Sequence, residues 1–133
     1  MKAIEMKTEL QSFADKWLAA WTGNNPALLL DFYTADAFYL DPANPKGLKG
    51  HEQLLMYFEK LLKRNPNWKW TAAELFPTEK GFTLKWKAEI PIVEETLIMN
   101  GLDIVEITNE KISRNEVYFD RYDWIMKLTN KHQ

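Results

Sequence analysis

The hydrophobic pattern of this chain changes its period near Asn65, and this change constrains the fold more than any other feature of the sequence. Before Asn65, apolar residues recur every three or four positions, which is the spacing of amphipathic helices. After it, apolar and polar residues alternate, most clearly over Phe82–Ile90, which is the spacing of a half-buried strand. Helices followed by a run of strands with short turns predict an α+β fold with a mostly antiparallel sheet.

Three helices are predicted. The first covers Thr8–Thr22 and begins at the capping-box spacing of Thr8-Glu9-Leu10-Gln11. The second covers Pro26–Phe32, with Asn25 as N-cap and the proline as first helical residue. The third covers His51–Arg64 and follows a glycine.

The strand predictions depend on turn signals between alternating segments. The predicted strands are Phe32–Asp41, Trp68–Phe76, Phe82–Ile90, Thr96–Thr108 and Ile112–Trp124. Pro42–Gly50 is predicted as a loop, and Pro91–Glu95 and Asn109–Lys111 as turns. Asn100-Gly101 is a strong hairpin signal. A turn there would leave the preceding piece too short to pair, so we predict a bulge or bend within one long strand.

Length and composition exclude several classes of protein. The 133 residues fit one domain, with a core at about 8–127, and Lys plus Arg (17) nearly balance Asp plus Glu (19), without a basic stripe for nucleic acid. Cysteine is absent, which excludes disulfides and thiolate chemistry. His51 and His132 are far apart and form no metal-ligand cluster, so neither metal nor other cofactor is expected. The first residues contain no long apolar run, so we expect no membrane anchor and a cytoplasmic location.

An acid ends the first predicted strand. Alternation places Ala37, Tyr39 and Asp41 on one face. Apolar surroundings disfavour the charged form of a carboxyl group, which suits it to proton transfer. Alternatively, Asp41 caps a turn before Pro42, since Asp-Pro is a common turn pair. Both interpretations stay open.

The order of these elements and of several short motifs resembles the nuclear transport factor 2-like superfamily, which includes ketosteroid isomerases and SnoaL-like polyketide cyclases. The motifs are Trp17-Leu18-Ala19-Ala20-Trp21, Phe32-Tyr33 through Asp41-Pro42, Gly50, Gly101-Leu102-Asp103 and Tyr118-Phe119-Asp120. The resemblance covers about residues 10–124. It implies a cone-shaped, strongly bent, mostly antiparallel sheet, with three N-terminal helices packed on its concave face. It also implies a homodimer formed through the outer sheet face.

The resemblance assigns candidate catalytic residues. Asp41 falls where ketosteroid isomerases keep the proton-shuttling carboxylate, and Asp103 where they keep a protonated aspartic acid that hydrogen-bonds the enolate. Trp17 falls at the position of the oxyanion-hole tyrosine, and its indole N–H is a differently aimed donor, which argues against steroid isomerisation. Asp103 is alternatively a structural hydrogen-bond partner.

An acid on the final strand is the third catalytic candidate. Asp120 falls where cyclase-like members carry a base. Alternation sets Glu116, Tyr118 and Asp120 on one face, which is expected to line the cavity. Alternatively, Asp120 forms an ion pair with Arg121 or Lys127.

Large aromatic residues, including six tryptophans, are numerous for a domain of this size. The predicted pocket residues are Trp17, Trp21, Tyr33, Tyr39, Tyr57, Trp86 and Tyr118. The alternative is that they simply fill the core.

The predicted function is binding of a small apolar, ring-bearing or lipophilic molecule in a cone-shaped pocket, without a need for catalysis. The first alternative is a cofactor-independent isomerase, cyclase or hydratase-like enzyme that uses an Asp as general base next to a carbonyl. The second is a dimerisation or protein-partner module. Neither nucleic acid nor membrane is an expected partner.

Overall fold

The computed structural model describes residues 2–130, with side chains for residues 5–129, so His132 lies outside the described residues. The described chain forms four helices and six strands. They are α1 (Lys2–Ala20), α2 (Pro26–Leu30), β1 (Tyr33–Asp41), β2 (Asn44–Lys49), α3 (Gly50–Arg64), β3 (Lys69–Pro77), β4 (Gly81–Ile92), β5 (Glu95–Thr108), β6 (Lys111–Tyr118) and α4 (Tyr122–Asn130). The prediction of an α+β fold with a mostly antiparallel sheet is confirmed.

The six strands form one open sheet in the order β2-β1-β6-β5-β4-β3. Every neighbouring pair is antiparallel except β1 and β6, which run parallel. Helix α1 packs against β3 and helix α3 against β1, so the helices cover one face of the sheet. This arrangement is the cone fold that the sequence predicts.

The buried face of the sheet follows from strict alternation. On β4, Leu84, Trp86 and Ala88 are buried, whereas Lys85 and Lys87 between them are exposed. The helices contribute stripes at helical spacing, and their buried members include Ala14, Trp17, Leu18, Leu54, Phe58 and Leu62. The core therefore lies between the helices and the inner face of the sheet.

The helix boundaries agree with the sequence in one case and differ in another. Asn25 caps α2 as predicted, because its Oδ1 accepts a hydrogen bond from the backbone N–H of Leu28 at 3.2 Å. The predicted start of the first helix at Thr8 is wrong, since α1 begins at Lys2. Lysine, alanine, glutamate and methionine precede Thr8, and these good helix formers carry the helix past the capping-box spacing.

The predicted loop Pro42–Gly50 is wrong, because it contains strand β2, which pairs antiparallel with β1. Its sequence gives little strand signal, since it includes Pro45 and Gly47. Both residues are tolerated because β2 is an edge strand with one free side.

The predicted bulge at Asn100-Gly101 is also wrong. The pairing of β4 with β5 is continuous from Gly81↔Glu106 to Ile92↔Glu95. Gly101 lies opposite Trp86, and a Cβ built on the glycine would be 2.1 Å from the indole ring. The glycine is therefore required by the close approach of this ring and not by a turn.

The end of the predicted last strand is wrong. Strand β6 stops at Tyr118, and residues up to Trp124 that we expected in the strand include the first turn of α4. Trp124 and Leu128, four residues apart, share one face of this helix, which is helical spacing. Because α4 adds a fourth helix after the last strand, the predicted count of three helices is not exact.

No helix within residues 2–130 has the length and apolar character needed to cross a membrane.

Candidate functional site

A cavity of about 460 Å³ opens between the helices and the inner face of the sheet. Its walls are mainly aromatic and aliphatic side chains from both layers. They are Leu18, Trp21, Tyr39, Tyr57, Leu61, Trp68, Trp70, Trp86, Ala88, Ile90, Met99, Val117, Phe119, Trp124 and Leu128. The acids that line it are Asp41 and Asp103. This composition, apolar with a few polar groups, is typical of small-molecule sites.

Asp103 is a carboxyl group held in the apolar wall. It is only 4% exposed, its Oδ1 accepts a hydrogen bond from Trp86 Nε1 at 2.7 Å, and its Oδ2 accepts one from Asn115 Nδ2 at 3.1 Å. Burial raises the pKa of Asp103 to about 7, although the two hydrogen bonds act in the opposite direction, and the nearby charge of Asp41 adds to the rise. Near neutral pH the protonated and the charged forms of this side chain are therefore both populated.

A chain of buried hydrogen bonds behind the cavity wall holds the Asp103 side chain in place. Asn115 Oδ1 accepts from the Tyr33 hydroxyl at 2.8 Å, and the Tyr33 oxygen accepts from Trp17 Nε1 at 3.2 Å. Trp17, Tyr33 and Asn115 are all fully buried. The indole N–H of Trp17 is thus directed to Tyr33, and both rings lie in the core behind the cavity wall.

Asp41 lines the cavity and also caps a turn, which is one of the two interpretations that the sequence left open. It lines the cavity, and its Oδ2 accepts hydrogen bonds from the hydroxyls of Tyr39 at 2.8 Å and Tyr57 at 2.5 Å. Its Oδ1 also caps the β1–β2 turn, since it accepts at 2.9 Å from the backbone N–H groups of Ala43 and Asn44 and from Asn44 Nδ2. A carboxylate offers about four lone-pair sites. Five donors therefore leave Asp41 little capacity to accept a further hydrogen bond from a ligand.

The two tyrosines that donate to Asp41 are difficult to deprotonate. Burial, followed by the neighbouring Asp41 charge, raises the pKa of both Tyr39 and Tyr57 well above the ordinary range. Both hydroxyls therefore stay protonated and act as fixed donors to Asp41.

Tyr118 and Asp120 lie outside the cavity. Alternation separates Glu116 and Tyr118 from Val117 as predicted, but the inner face carries Val117, which lines the cavity. Tyr118 is 45% exposed and its hydroxyl donates to Glu116. The exposed Asp120 accepts a hydrogen bond from the backbone N–H of Tyr122 at 2.8 Å, at the first residue of α4. The expectation that this face lines the cavity is wrong.

A family comparison identifies the relatives of this arrangement. The model of the SnoaL-like domain family matches residues 14–115, which is most of the chain. The chain belongs to the SnoaL-like domain family. The predicted resemblance to the nuclear transport factor 2-like superfamily is confirmed.

Solved structures with the same fold resemble this SnoaL-like domain over most of their length. A Catenulispora acidiphila protein with a ketosteroid isomerase-like fold, crystallised with trimethylamine, is 22% identical, with a TM-score of 0.72 over 81% of this chain and 85% of that one. SalBIII, an epoxide hydrolase/cyclase-like enzyme of pyran ring formation in salinomycin, is 14% identical, with a TM-score of 0.73 over 88% and 95%. TerC, crystallised with polyporic acid, is 11% identical, with a TM-score of 0.74 over 89% and 96%. Identities this low show the fold alone, and no curated protein matches the chain.

Several cavity residues of this SnoaL-like domain were missed by sequence reasoning. Trp68 and Trp70 alternate at the start of β3, and that spacing already indicated one shared face. Asn115, which does not line the cavity but holds Asp103 from behind, sits inside the polar run Ser113–Glu116, where nothing marks it as buried. Lys60 and Arg64 also line the cavity, but basic residues are common near the C-terminal end of a helix, so their presence there marks no site.

The double role of Asp41 predicts a stability effect. Asp41→Ala removes the acceptor of five hydrogen bonds and should lower the free energy of unfolding by about 1–3 kcal/mol. Asp41→Asn should cost less, because its amide oxygen still accepts from the backbone. Chemical denaturation measures both. The control is Asp36→Ala on the same strand, whose exposed side chain accepts a single hydrogen bond within residues 5–129, from the Thr34 hydroxyl. Equal losses for Asp36→Ala and Asp41→Ala would contradict the capping role.

Proposed function

We propose that this SnoaL-like domain binds a small, largely apolar, ring-bearing molecule in the cavity. One observation carries the proposal: an aromatic-walled cavity of about 460 Å³ that contains the buried carboxyl of Asp103. Trp21, Trp70 and Trp86 offer ring edges and faces from three elements, and such rings favour flat, apolar ligands. Two structural neighbours were crystallised with small molecules, trimethylamine and polyporic acid, which supports small-molecule binding by a domain of this fold.

Asp103 provides a polar contact for a ligand in the cavity. Because Trp86 and Asn115 each hold one carboxyl oxygen, the group keeps one orientation. In its protonated form it donates a hydrogen bond to a ligand carbonyl, and in its charged form it accepts one from a hydroxyl. The ligand favoured by this chemistry has rings and at least one oxygen that reaches Asp103.

Proton transfer next to a carbonyl is the second candidate function. It is favoured by the pKa of Asp103, raised to about 7 by burial, which suits a general acid or base near neutral pH. The occupied lone pairs of Asp41 and the position of Asp120 outside the cavity make Asp103 the better candidate among the three acids. This chemistry needs no cofactor.

A homodimer through the outer sheet face is a further proposal. The outer face of β5 carries Ile98, Leu102 and Ile104, which supports a contact there. The outer face of β4 carries Lys85 and Lys87 instead, so this strand presents a polar surface there. A contact through this face would therefore centre on β5.

A substitution that fills part of the cavity with a larger side chain tests the binding proposal. Ala88 lines the cavity on the inner face of β4 and is fully enclosed. In Ala88→Leu the larger side chain should occupy ligand space and weaken binding of a fused-ring ligand by about tenfold, or ~1.4 kcal/mol. Quenching of tryptophan fluorescence by naphthalene derivatives measures this, because Trp21, Trp70 and Trp86 line the cavity.

The matched control for this test is Lys87→Leu, which adds the same side chain to the exposed outer face of the same strand. It should leave the affinity unchanged. Equal affinity in Ala88→Leu and Lys87→Leu, or no saturable quenching in the unsubstituted protein, would contradict binding in this cavity.

A further inference from the structure

Three basic side chains border the cavity on the side of α3. Lys60 and Arg64 are one helical turn apart and line the cavity together with Tyr57 and Leu61 of the same helix. Arg121, just before α4, also lines it. The positive charge of Arg121 opposes the rise in the pKa of Tyr57, which places this guanidinium near α3 as well.

These cations have no acidic partner among the described residues. The ion pairs within residues 5–129 join Lys111 to Asp31, Arg114 to Glu106 and Glu116, and Lys127 to Glu95. None of them uses Lys60, Arg64 or Arg121. Lys60 and Arg64 are exposed and Arg121 is half-buried, so the three charges lie where the cavity meets solvent.

The two acids of the cavity lie deeper and are already bonded to uncharged donors. Asp41 and Asp103 are 6% and 4% exposed. Their oxygens accept from tyrosine, tryptophan and asparagine side chains and from the backbone, and not from the three cations. A negatively charged group of a ligand is therefore repelled from the base of the cavity and attracted to its mouth.

We propose that the ligand is an amphipathic carboxylate, with its rings among the aromatic side chains and its carboxylate at Lys60, Arg64 and Arg121. This inference rests on the proposed binding function and adds the charge and the orientation of the ligand. Guanidinium groups match a carboxylate because their planar N–H groups form two parallel hydrogen bonds to its oxygens. The partly exposed position of the cations limits the gain in affinity to about tenfold.

A matched pair of ligands tests the charge. Calorimetric titration with 2-naphthoate and 2-naphthamide, at about pH 8, compares a carboxylate with an uncharged group of nearly the same shape. The carboxylate should bind about tenfold more tightly, and this preference should decrease at high salt, since the mouth is open to solvent. Arg64→Gln and Arg121→Gln should each lower the affinity for the carboxylate more than the affinity for the amide, and so reduce the preference.

The control variant is Lys63→Gln, which removes an exposed positive charge from the same helix at a position outside the cavity lining. It should retain the full preference for the carboxylate. Equal or tighter binding of the amide, or an equal effect of Lys63→Gln and Arg64→Gln, would overturn the carboxylate inference and leave the apolar-ligand proposal standing. If neither compound binds the unsubstituted protein, both proposals fail.

Discussion

Replacing Asp103 with asparagine should flatten the pH dependence of the free energy of unfolding between about pH 4 and pH 7. Burial raises the pKa of this carboxyl from 3.8 to about 7 in the folded protein. Between these values the unfolded chain loses its proton while the folded chain keeps it, so the unfolded state binds fewer protons and stability falls as the pH rises. The contribution is complete below the unfolded pKa and is lost as the pH passes through the folded pKa. Each pH unit in this window costs about 1.4 kcal/mol, or roughly 4 kcal/mol in all.

Urea denaturation at several pH values, for the unsubstituted protein and Asp103→Asn, isolates this contribution as the difference between the two curves. The asparagine also faces the donors Trp86 and Asn115, which lowers stability by an amount that does not depend on pH. The control is Asp120→Asn, which makes the same acid-to-amide change at an exposed residue outside the cavity lining. A parallel curve for Asp103→Asn would mean that this carboxyl is charged throughout the range.

Gly101→Ala should destabilise the fold by roughly 4 kcal/mol and abolish ligand binding in the cavity. The added Cβ would be 2.1–2.6 Å from three atoms of the Trp86 ring, so the ring must move. Trp86 both lines the cavity and donates to Asp103, so its displacement also breaks that hydrogen bond. Thermal and chemical denaturation measure the first effect, and titration with naphthalene derivatives measures the second.

Gly23→Ala is the matched control for this substitution. Gly23 has a φ of +89° and nothing within 4 Å of an added Cβ, so alanine there meets only backbone strain of about 1 kcal/mol. Binding should be unaffected. A loss for Gly101→Ala no larger than that for Gly23→Ala would show that Trp86 does not need the glycine.

The fold could be predicted from the sequence where local pattern and tertiary packing agree. The alternation of Phe82–Ile90 matches β4, and Asn25 with Pro26 fixes the start of α2. Strand β2 could not be found, because its proline and glycine carry no strand preference and its conformation comes from pairing with β1. The end of β6 was missed because alternation continues through Phe119 before the helical spacing of α4 begins.

The site could also be predicted only in part, because a local sequence pattern does not report tertiary packing. Family resemblance and alternation together led to Asp41 and Asp103, which share the cavity. Alternation separates Val117 from Tyr118 but does not say which of the two faces inward, so the predicted face was the wrong one. The depth of Trp17 follows from the packing of α1 on the sheet, which no local pattern reports.

The parallel pairing of β1 with β6 has a consequence for the order of folding. These two neighbours in the sheet are far apart in sequence, so β1 and β2 gain their place beside β5 only after β6 has formed between them. The chain of hydrogen bonds behind the cavity crosses the same junction, from Tyr33 on β1 through Asn115 on β6 to Asp103 on β5. Such long-range contacts form slowly, because a long loop must close first. The cavity is therefore assembled late, and a growing chain completes it only after β6 has been synthesised.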